Sequence, residues 1–355
     1  MVVDDSVVFR SQIKVVLSEI PGLEVTAVAP NGKLALQKLE KSPVDLMTLD
    51  LEMPEMNGLE TLKAIREKKI NVKVIVFAAQ SARGASTTLE ALSLGAHDVV
   101  CKPSGNVGSI EGAQEEIRRD LVPKILQFIP GKTGKEIREA VREEKTTELA
   151  DKKDWTKKDL AFFRPEILCV GSSTGGPVAL ENMLRELRGP LPMPMLIVQH
   201  MPPTFTRMLA NRLEKLTGIP TMEASDGEPL TRDKIYVAPG DYHMVLKREG
   251  DAIVVRLHQG DKRNSVRPAV DELFETAAEV FGDRTMGFIL TGMGEDGLEG
   301  CTSIKNAGGG VMIQDEATSV VWGMPGAVYH AGAYDQMGGI GEVAGRLQDI
   351  CTRMG

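Results

Sequence analysis

Six small residues, Gly171-Ser172-Ser173-Thr174-Gly175-Gly176, directly follow the apolar run Ile167-Leu168-Cys169-Val170. A short β-rich run that delivers a hydroxyl into such a turn, with a helical pattern resuming at Pro177, is the context a serine nucleophile needs. Gly171, Ser173 and Gly175 fit the spacing G-x-S-x-G. The glycines leave room for a hydroxyl on a sharp turn, and bare backbone N–H groups at a helix start can stabilise an oxyanion. Small residues at a helix start suit a phosphate equally well, and a plain tight turn is a third reading. The phosphate loop is disfavoured because Pro177 rather than a lysine follows Gly176 and the G-x-G-x-x-G spacing is absent.

A serine needs a base, and the chain has five histidines to choose from. His200 ends the run Met195-Leu196-Ile197-Val198-Gln199, so a parallel strand would bring it to the same sheet edge as Ser173. His97, His243, His258 and His330 have less telling positions. An acid should then fix the imidazole tautomer. Phe288-Ile289-Leu290 runs into Thr291-Gly292-Met293-Gly294-Glu295-Asp296-Gly297, another apolar stretch entering a glycine-rich turn, and Asp296 is the candidate acid. A helix N-cap is the competing role for Asp296. The chain order Ser, His, Asp differs from the Ser, acid, His order of α/β-hydrolases.

Three more carboxylates are grouped near the N-terminus. Asp4 and Asp5 follow the first apolar run, and Asp50 ends Leu46-Met47-Thr48-Leu49. Converging at one sheet edge they would repel unless a cation such as Mg²⁺ neutralised them, and Lys102 would bring a positive charge to that edge. The alternative is that each aspartate caps a helix or a turn.

The elements that must position these residues alternate regularly. Strands are predicted at 2–3, 23–28, 46–51, 72–79 and 97–101, with helices near 6–20, 33–41, 59–67 and 87–94 and another beginning near Ile110. This β/α alternation predicts a parallel sheet covered on both faces, with functional groups at the carboxyl ends of its strands. Mixed charges crowd between Gly131 and Leu160, as in Arg142-Glu143-Glu144-Lys145, which reads as a solvated linker. A second α/β pattern begins at Ile167, with strands predicted at 195–199, 234–237, 253–257 and 287–290. The division is 1–128, a linker over 129–165, and 166–355. Both domains are expected to be doubly wound α/β folds, the first around five parallel strands and the second around a mostly parallel sheet.

Bulk properties narrow the function. The formal net charge of −8, without a basic cluster, opposes nucleic-acid binding and hence a DNA-binding regulator. Four scattered cysteines with no C-x-x-C pair read as reduced thiols, with no zinc site implied. No signal peptide and no apolar span of transmembrane length is seen, so a cytoplasmic protein without membrane insertion is expected.

Two sets of motifs carry a family resemblance. Val2-Val3-Asp4-Asp5-Ser6, Leu49-Asp50-Leu51-Glu52-Met53-Pro54 with Asn57-Gly58, Gly95-Ala96 and Cys101-Lys102-Pro103 resemble response-regulator receiver domains. That resemblance implies Asp50 as phosphoacceptor, Mg²⁺ held by Asp5, Asp50 and the Glu52 carbonyl, Asp4 helping through water, and Lys102 on the phosphoryl group. Receivers usually end their fourth strand on a hydroxyl residue and carry several residues before the acidic pair; this chain has Ala78 and only three. Either Ser81 or a backbone group substitutes for the hydroxyl, or the switch is weakened.

Gly171 to Gly176, Gln199-His200-Met201-Pro202-Pro203, Ala238-Pro239-Gly240-Asp241, Leu290 to Gly294 and Trp322-Gly323-Met324-Pro325 resemble the catalytic domain of CheB-type chemotaxis methylesterases. By that resemblance Ser173, His200 and Asp296 form a triad, and the Thr174 and Met293 N–H groups form the oxyanion hole. The implied activities are glutamyl methyl ester hydrolysis and glutamine deamidation, with no cofactor for the esterase step. The implied partners are methyl-accepting chemotaxis receptors as substrate and a chemotaxis histidine kinase as phosphodonor. The receiver is expected to cover the triad until Asp50 is phosphorylated.

Overall fold

The computed structural model describes residues 1–103, 110–128, 155–187 and 190–354, and the chain divides into two compact units at Leu149/Ala150. In the first unit five strands, β1 (Val2–Val3), β2 (Val28–Ala29), β3 (Leu46–Asp50), β4 (Lys73–Ala78) and β5 (Asp98–Cys101), form a parallel sheet in the order β2-β1-β3-β4-β5. Helices α1 (Val7–Ser18), α2 (Gly32–Lys41), α3 (Gly58–Glu67), α4 (Ala82–Ser93) and α5 (Ile110–Phe128) connect and flank them. The central strands are largely apolar, as strands covered by helices on both faces are, and the buried run Val74 to Ala78 of β4 shows it. Asn57 and Glu60 form a reciprocal capping box at the start of α3, which fixes where β3 hands over to the helix.

Local propensity and pairing disagree at two places. Of the predicted 23–28 strand only Val28 lies in β2, which extends to Ala29 and is this short because β1 itself offers just two residues to pair with. Helix α4 starts at Ala82, earlier than its apolar periodicity, because Ser81 caps it by accepting a hydrogen bond from the Gly84 N–H at 3.0 Å.

In the second unit seven parallel strands lie in the order β14-β13-β12-β6-β7-β9-β8. They are β6 (Ile167–Ser172), β7 (Met195–Gln199), β8 (Thr221–Glu223), β9 (Ile235–Val237), β12 (Thr285–Ile289), β13 (Gly310–Gln314) and β14 (Gln336–Gly338). Strands β10 (His243–Glu249) and β11 (Ala252–His258) form a separate antiparallel hairpin. The predicted 253–257 strand therefore lies outside the main sheet. Among the described residues six α-helices complete the unit: α6 (Gly176–Leu184), α7 (Phe205–Thr217), α8 (Val270–Phe281), α9 (Leu298–Asn306), α10 (Met324–Ala331) and α11 (Ile340–Met354).

The chain leaves β6 toward β7 on one side, while β12 pairs on the other, so the sheet changes direction at β6. In open α/β sheets the crevice beyond the carboxyl ends of such strands is where ligands bind.

Residues 129–154 of the predicted linker lie outside the described residues, whereas 155–165 pack on the second unit. Leu160 is buried, the Lys158 N–H donates to Asp335 at 2.7 Å, and Lys157 stacks over the Tyr334 ring. Asp335 is itself buried and paired with Lys305. A fragment beginning at Glu166 is therefore expected to melt below one beginning at Trp155. Burying one leucine contributes about 1.5–3 kcal/mol, so the gap should be roughly 5–10 °C for a domain of this size by calorimetry.

Candidate active site

Strand register brings the serine and histidine together. Ser172 faces Gln199 across β6 and β7, so Ser173 and His200 are the next neighbours on adjacent strands. On the other side Ile289 of β12 pairs with Gly171, and the Ser173 N–H donates to Thr291 O at 3.0 Å.

Gln199 locks this junction. Its Oε1 accepts from the Ser172 hydroxyl at 2.7 Å, and its Nε2 donates to Ser173 O at 2.9 Å and to His200 O at 3.2 Å. A Cβ on Gly176 would stand 1.9 Å from Gln199 Oε1. Gly176→Ala should therefore displace Gln199 and cost about 1–3 kcal/mol by overpacking. Thermal melting of the variant would register the loss. Gly175, the N-cap of α6, has φ +77°, a left-handed conformation that favours glycine.

His200 points one ring edge at the acid. Its Nε2 lies 2.7 Å from Asp296 Oδ2, which leaves Nδ1 as the other available ring nitrogen. Asp296 is buried, and burial alone would raise its carboxyl. The hydrogen bond and charge of His200, with N–H donors from Val270 (2.6 Å) and Asp271 (3.2 Å), outweigh that and bring it down to about 2. These donors are the first two residues of α8, whose N-terminal dipole also favours an anion there. Asp296 thus stays ionised and can hold an imidazolium. Ser173 is half-buried, and among the described residues its hydroxyl makes no hydrogen bond to His200 or to any other group. The structure brings the acid and histidine into contact and sets the serine on the neighbouring strand end without bonding it to either.

The predicted oxyanion donors flank the serine. Thr174 is buried next to Ser173, with its carbonyl 2.9 Å from the Thr291 hydroxyl. Met293 follows Gly292, and among the described residues its N–H donates to no protein acceptor. Gly292 lets the two segments approach: a Cβ there would stand 2.9 Å from Ser173 Cβ and 2.3 Å from Met324 Sδ. The Gly292 carbonyl accepts from the Gly323 and Met324 N–H groups, and Trp322 Nε1 donates to Gln314 O at 3.0 Å. The Trp322-Gly323-Met324-Pro325 motif thereby braces the turn that carries Met293.

The first unit has its own cluster. Asp4, Asp5 and Asp50 each offer a carboxylate oxygen, all within 4.8 Å of one another. Asp4 and Asp50 are buried and Asp5 is exposed. Lys102 Nζ lies 2.9 Å from Asp4 Oδ2 and 2.7 Å from Asp50 Oδ2. Burial pushes the Asp50 carboxyl up, with Asp4 adding to it and Lys102 opposing. Burial likewise works against the Lys102 charge, but the two carboxylates overcome it and raise its pKa. Asp4 Oδ2 is buried without a well-directed hydrogen bond. One lysine leaves this hard-oxygen set short of positive charge, as a site suited to a divalent cation would be. Glu52 follows Asp50 at the strand end, its N–H 3.4 Å from Asp50 Oδ1. Ala78 is buried at the end of β4, and Ser81 is occupied in capping α4.

Comparison with known proteins gives these two sites a common context. Residues 168–347 match the model of the CheB methylesterase family, and residues 1–110 match that of the response regulator receiver domain. The chain belongs to the CheB methylesterase family. It is similar to the protein-glutamate methylesterase/protein-glutamine glutaminase of Trichodesmium erythraeum, with 44% identity covering 100% of this chain and 98% of the relative. It is also 37% identical to the enzyme of that name from Thermotoga maritima, over 94% of this chain and 93% of the relative. The crystal structure of the Thermotoga maritima CheB methylesterase catalytic domain aligns with 52% of this chain and 98% of that one, at 40% identity and a TM-score of 0.51. This CheB family member therefore joins a receiver to a methylesterase domain, as the paired motifs led one to expect. Among the described residues no helix is long and apolar enough to cross a membrane.

Sequence reasoning missed Gln199, Thr291, Gln314 and Asn264 as supports of the site. Gln199 and Thr291 had a local signal, the first immediately before His200 and the second opening the glycine-rich turn that leads to Asp296.

Proposed function

We propose that this methylesterase hydrolyses glutamyl γ-methyl esters of chemotaxis receptors through an acyl-enzyme on Ser173. The observation that carries this reading is the convergence of Ser173 and the His200–Asp296 pair at adjacent strand ends. His200 takes the Ser173 proton as the hydroxyl oxygen attacks the ester carbonyl carbon, while Thr174 and Met293 N–H groups stabilise the oxyanion. The tetrahedral intermediate collapses, the C–OCH₃ bond breaks, and the proton on His200 leaves with methanol. Water then gives a proton to His200, attacks the acyl carbon and frees the glutamate side chain; the proton returns to Ser173. A glutamine side chain entering the same route loses ammonia instead, which accounts for deamidation as a second activity.

In the receiver, an Asp50 oxygen attacks the phosphorus of a phosphohistidine on the chemotaxis kinase, and the P–N bond breaks. Asp5, Asp50 and the Glu52 carbonyl would hold Mg²⁺, with Asp4 helping through water; when bound, the ion offsets phosphoryl charge. Lys102 is placed to contact the phosphoryl group. Phosphorylation then raises the esterase rate. Methanol release from methylated receptor membranes, measured with and without a small phosphodonor, tests the reading. Release should rise with the phosphodonor, and no detectable release under either condition would overturn the assignment.

A further inference from the structure

A second carboxyl stands behind the triad acid. Asp271 lies in the first turn of α8 and is 1% exposed. Its Oδ1 accepts from the Gly300 N–H of α9 at 2.7 Å, and its Oδ2 from Asn264 Nδ2 at 2.9 Å. The same Asn264 nitrogen donates to Asp296 Oδ1 at 3.2 Å, bridging the two acids. Asn264 and Ser265 have φ of +52° and +65°, two consecutive left-handed residues without a glycine. Such backbone persists where surrounding structure holds it, and it clusters at functional sites. The backbone N–H of Asp271 also donates to Asp296 Oδ1 at 3.2 Å.

We propose that Asp271 and Asn264 are positioning residues of the esterase, holding the Asp296 carboxylate in line with His200 Nε2. This rests on the triad reading above. Burial, with Asp296 as like-charged neighbour, raises the Asp271 carboxyl to about 8, and the two side chains face each other closely enough to hydrogen-bond. A protonated Asp271 is then a donor to ionised Asp296, and the pair carries a single negative charge near neutral pH.

The other charged or titratable groups facing Asp271 are few. Arg263 Nε, on the preceding loop, is 3.8 Å from Oδ2, but its guanidinium is already engaged by Glu275 and Glu299, with Glu272 nearby. Cys301 of α9 is buried, and that burial holds it well above the ordinary thiol range. Of these groups Arg263 alone is cationic, and sharing among carboxylates weakens its hold on Asp271. His200 lies beyond Asp296.

The test uses the full chain with a phosphodonor, assaying methanol release over a range of methylated receptor membrane concentrations. Asn264→Ala and Asp271→Ala should lower kcat roughly 10- to 100-fold, the scale of a misplaced catalytic group, with KM within about twofold. Asp271→Asn keeps a donor for Asp296 and an acceptor for Gly300 but gives up the bond from Asn264 Nδ2, so it should recover part of that kcat. Its melting point should also rise relative to that of the wild type as pH increases. The folded carboxyl keeps its proton up to about pH 8, whereas the unfolded one releases it near pH 4. The wild type therefore loses stability across that window as pH rises. The relative rise should continue from pH 5 to 8 and then level off. Wild-type kcat in Asn264→Ala, or a melting gap that does not change with pH, overturns the proposal. If Asp271→Ala does not fold, Asn264→Ala and Asp271→Asn carry the test. Ser173→Ala keeps the two readings apart: an active Ser173→Ala enzyme refutes the triad, whereas an inactive one beside an unimpaired Asn264→Ala refutes only the positioning.

Discussion

Ser173→Ala is expected to abolish methanol release while leaving the fold and receiver labelling intact. On the proposed mechanism, removing the attacking oxygen leaves only the oxyanion donors and substrate binding, and comparable serine hydrolases lose about 10⁶-fold in kcat. The fold should be untouched because the Ser173 hydroxyl has no hydrogen-bond partner among the described residues, and the backbone bonds of Ser173 to Thr291 and Gln199 do not involve its side chain. His200→Ala should lose a similar factor, and combining the two should add little, since residues that act as one unit are not additive. Asp296→Asn should lose about 10⁴-fold. It also replaces an anion that accepts from His200, Val270, Asp271 and Asn264 by a group with one acceptor oxygen. A measurable melting loss is thus expected for Asp296→Asn and not for Ser173→Ala. Undiminished methanol release by Ser173→Ala would end the triad assignment, whatever the other variants do.

The contrast between these residues also explains what the sequence could reveal. Ser173, His200 and Asp296 each stand just beyond an apolar run, and in a parallel sheet the carboxyl ends of neighbouring strands share one edge. Three local patterns therefore implied a meeting in space once the β/α alternation was recognised. Asn264 and Asp271 gave no comparable signal. They reach Asp296 because the segment before α8 folds back under the turn after β12. That close approach depends on Gly300, where a Cβ would stand 2.5 Å from Phe274 Cβ and 3.2 Å from Asp271 Cα. No periodicity encodes such a contact. The short strands β8 and β14 were equally silent, since three residues of Thr221–Glu223 or Gln336–Gly338 hold no alternation to read. Residues 155–165 were masked by composition: their lysines look like a solvated linker, but Lys157 and Lys158 bond to backbone carbonyls and Leu160 is buried.

Asp50→Asn is expected to remove labelling by a small phosphodonor altogether and, with it, any rise in esterase rate on adding that donor. In the proposed reaction the carboxylate is the nucleophile, and an amide oxygen at the same position cannot form the acyl phosphate. Asp4 is a poor substitute because its Oδ1 accepts from Ser6 N–H at 2.8 Å and its Oδ2 faces Lys102. Asp5 follows β1 rather than ending β3, and its proposed part is to hold the cation beside Asp50. The substitution should not unfold the receiver. Burial already pushes Asp50 up, so a neutral isostere relieves a desolvation cost while giving up one partner of Lys102. Lys102 keeps Asp4 at 2.9 Å and the Phe9 ring at 5.2 Å. The basal, donor-independent esterase rate should be unchanged, because Asp50 belongs to a different compact unit from Ser173. Labelling that persists in Asp50→Asn would show that another residue accepts the phosphoryl group. Stimulation that persists without labelling would show that the donor acts on the esterase by some route other than this aspartate.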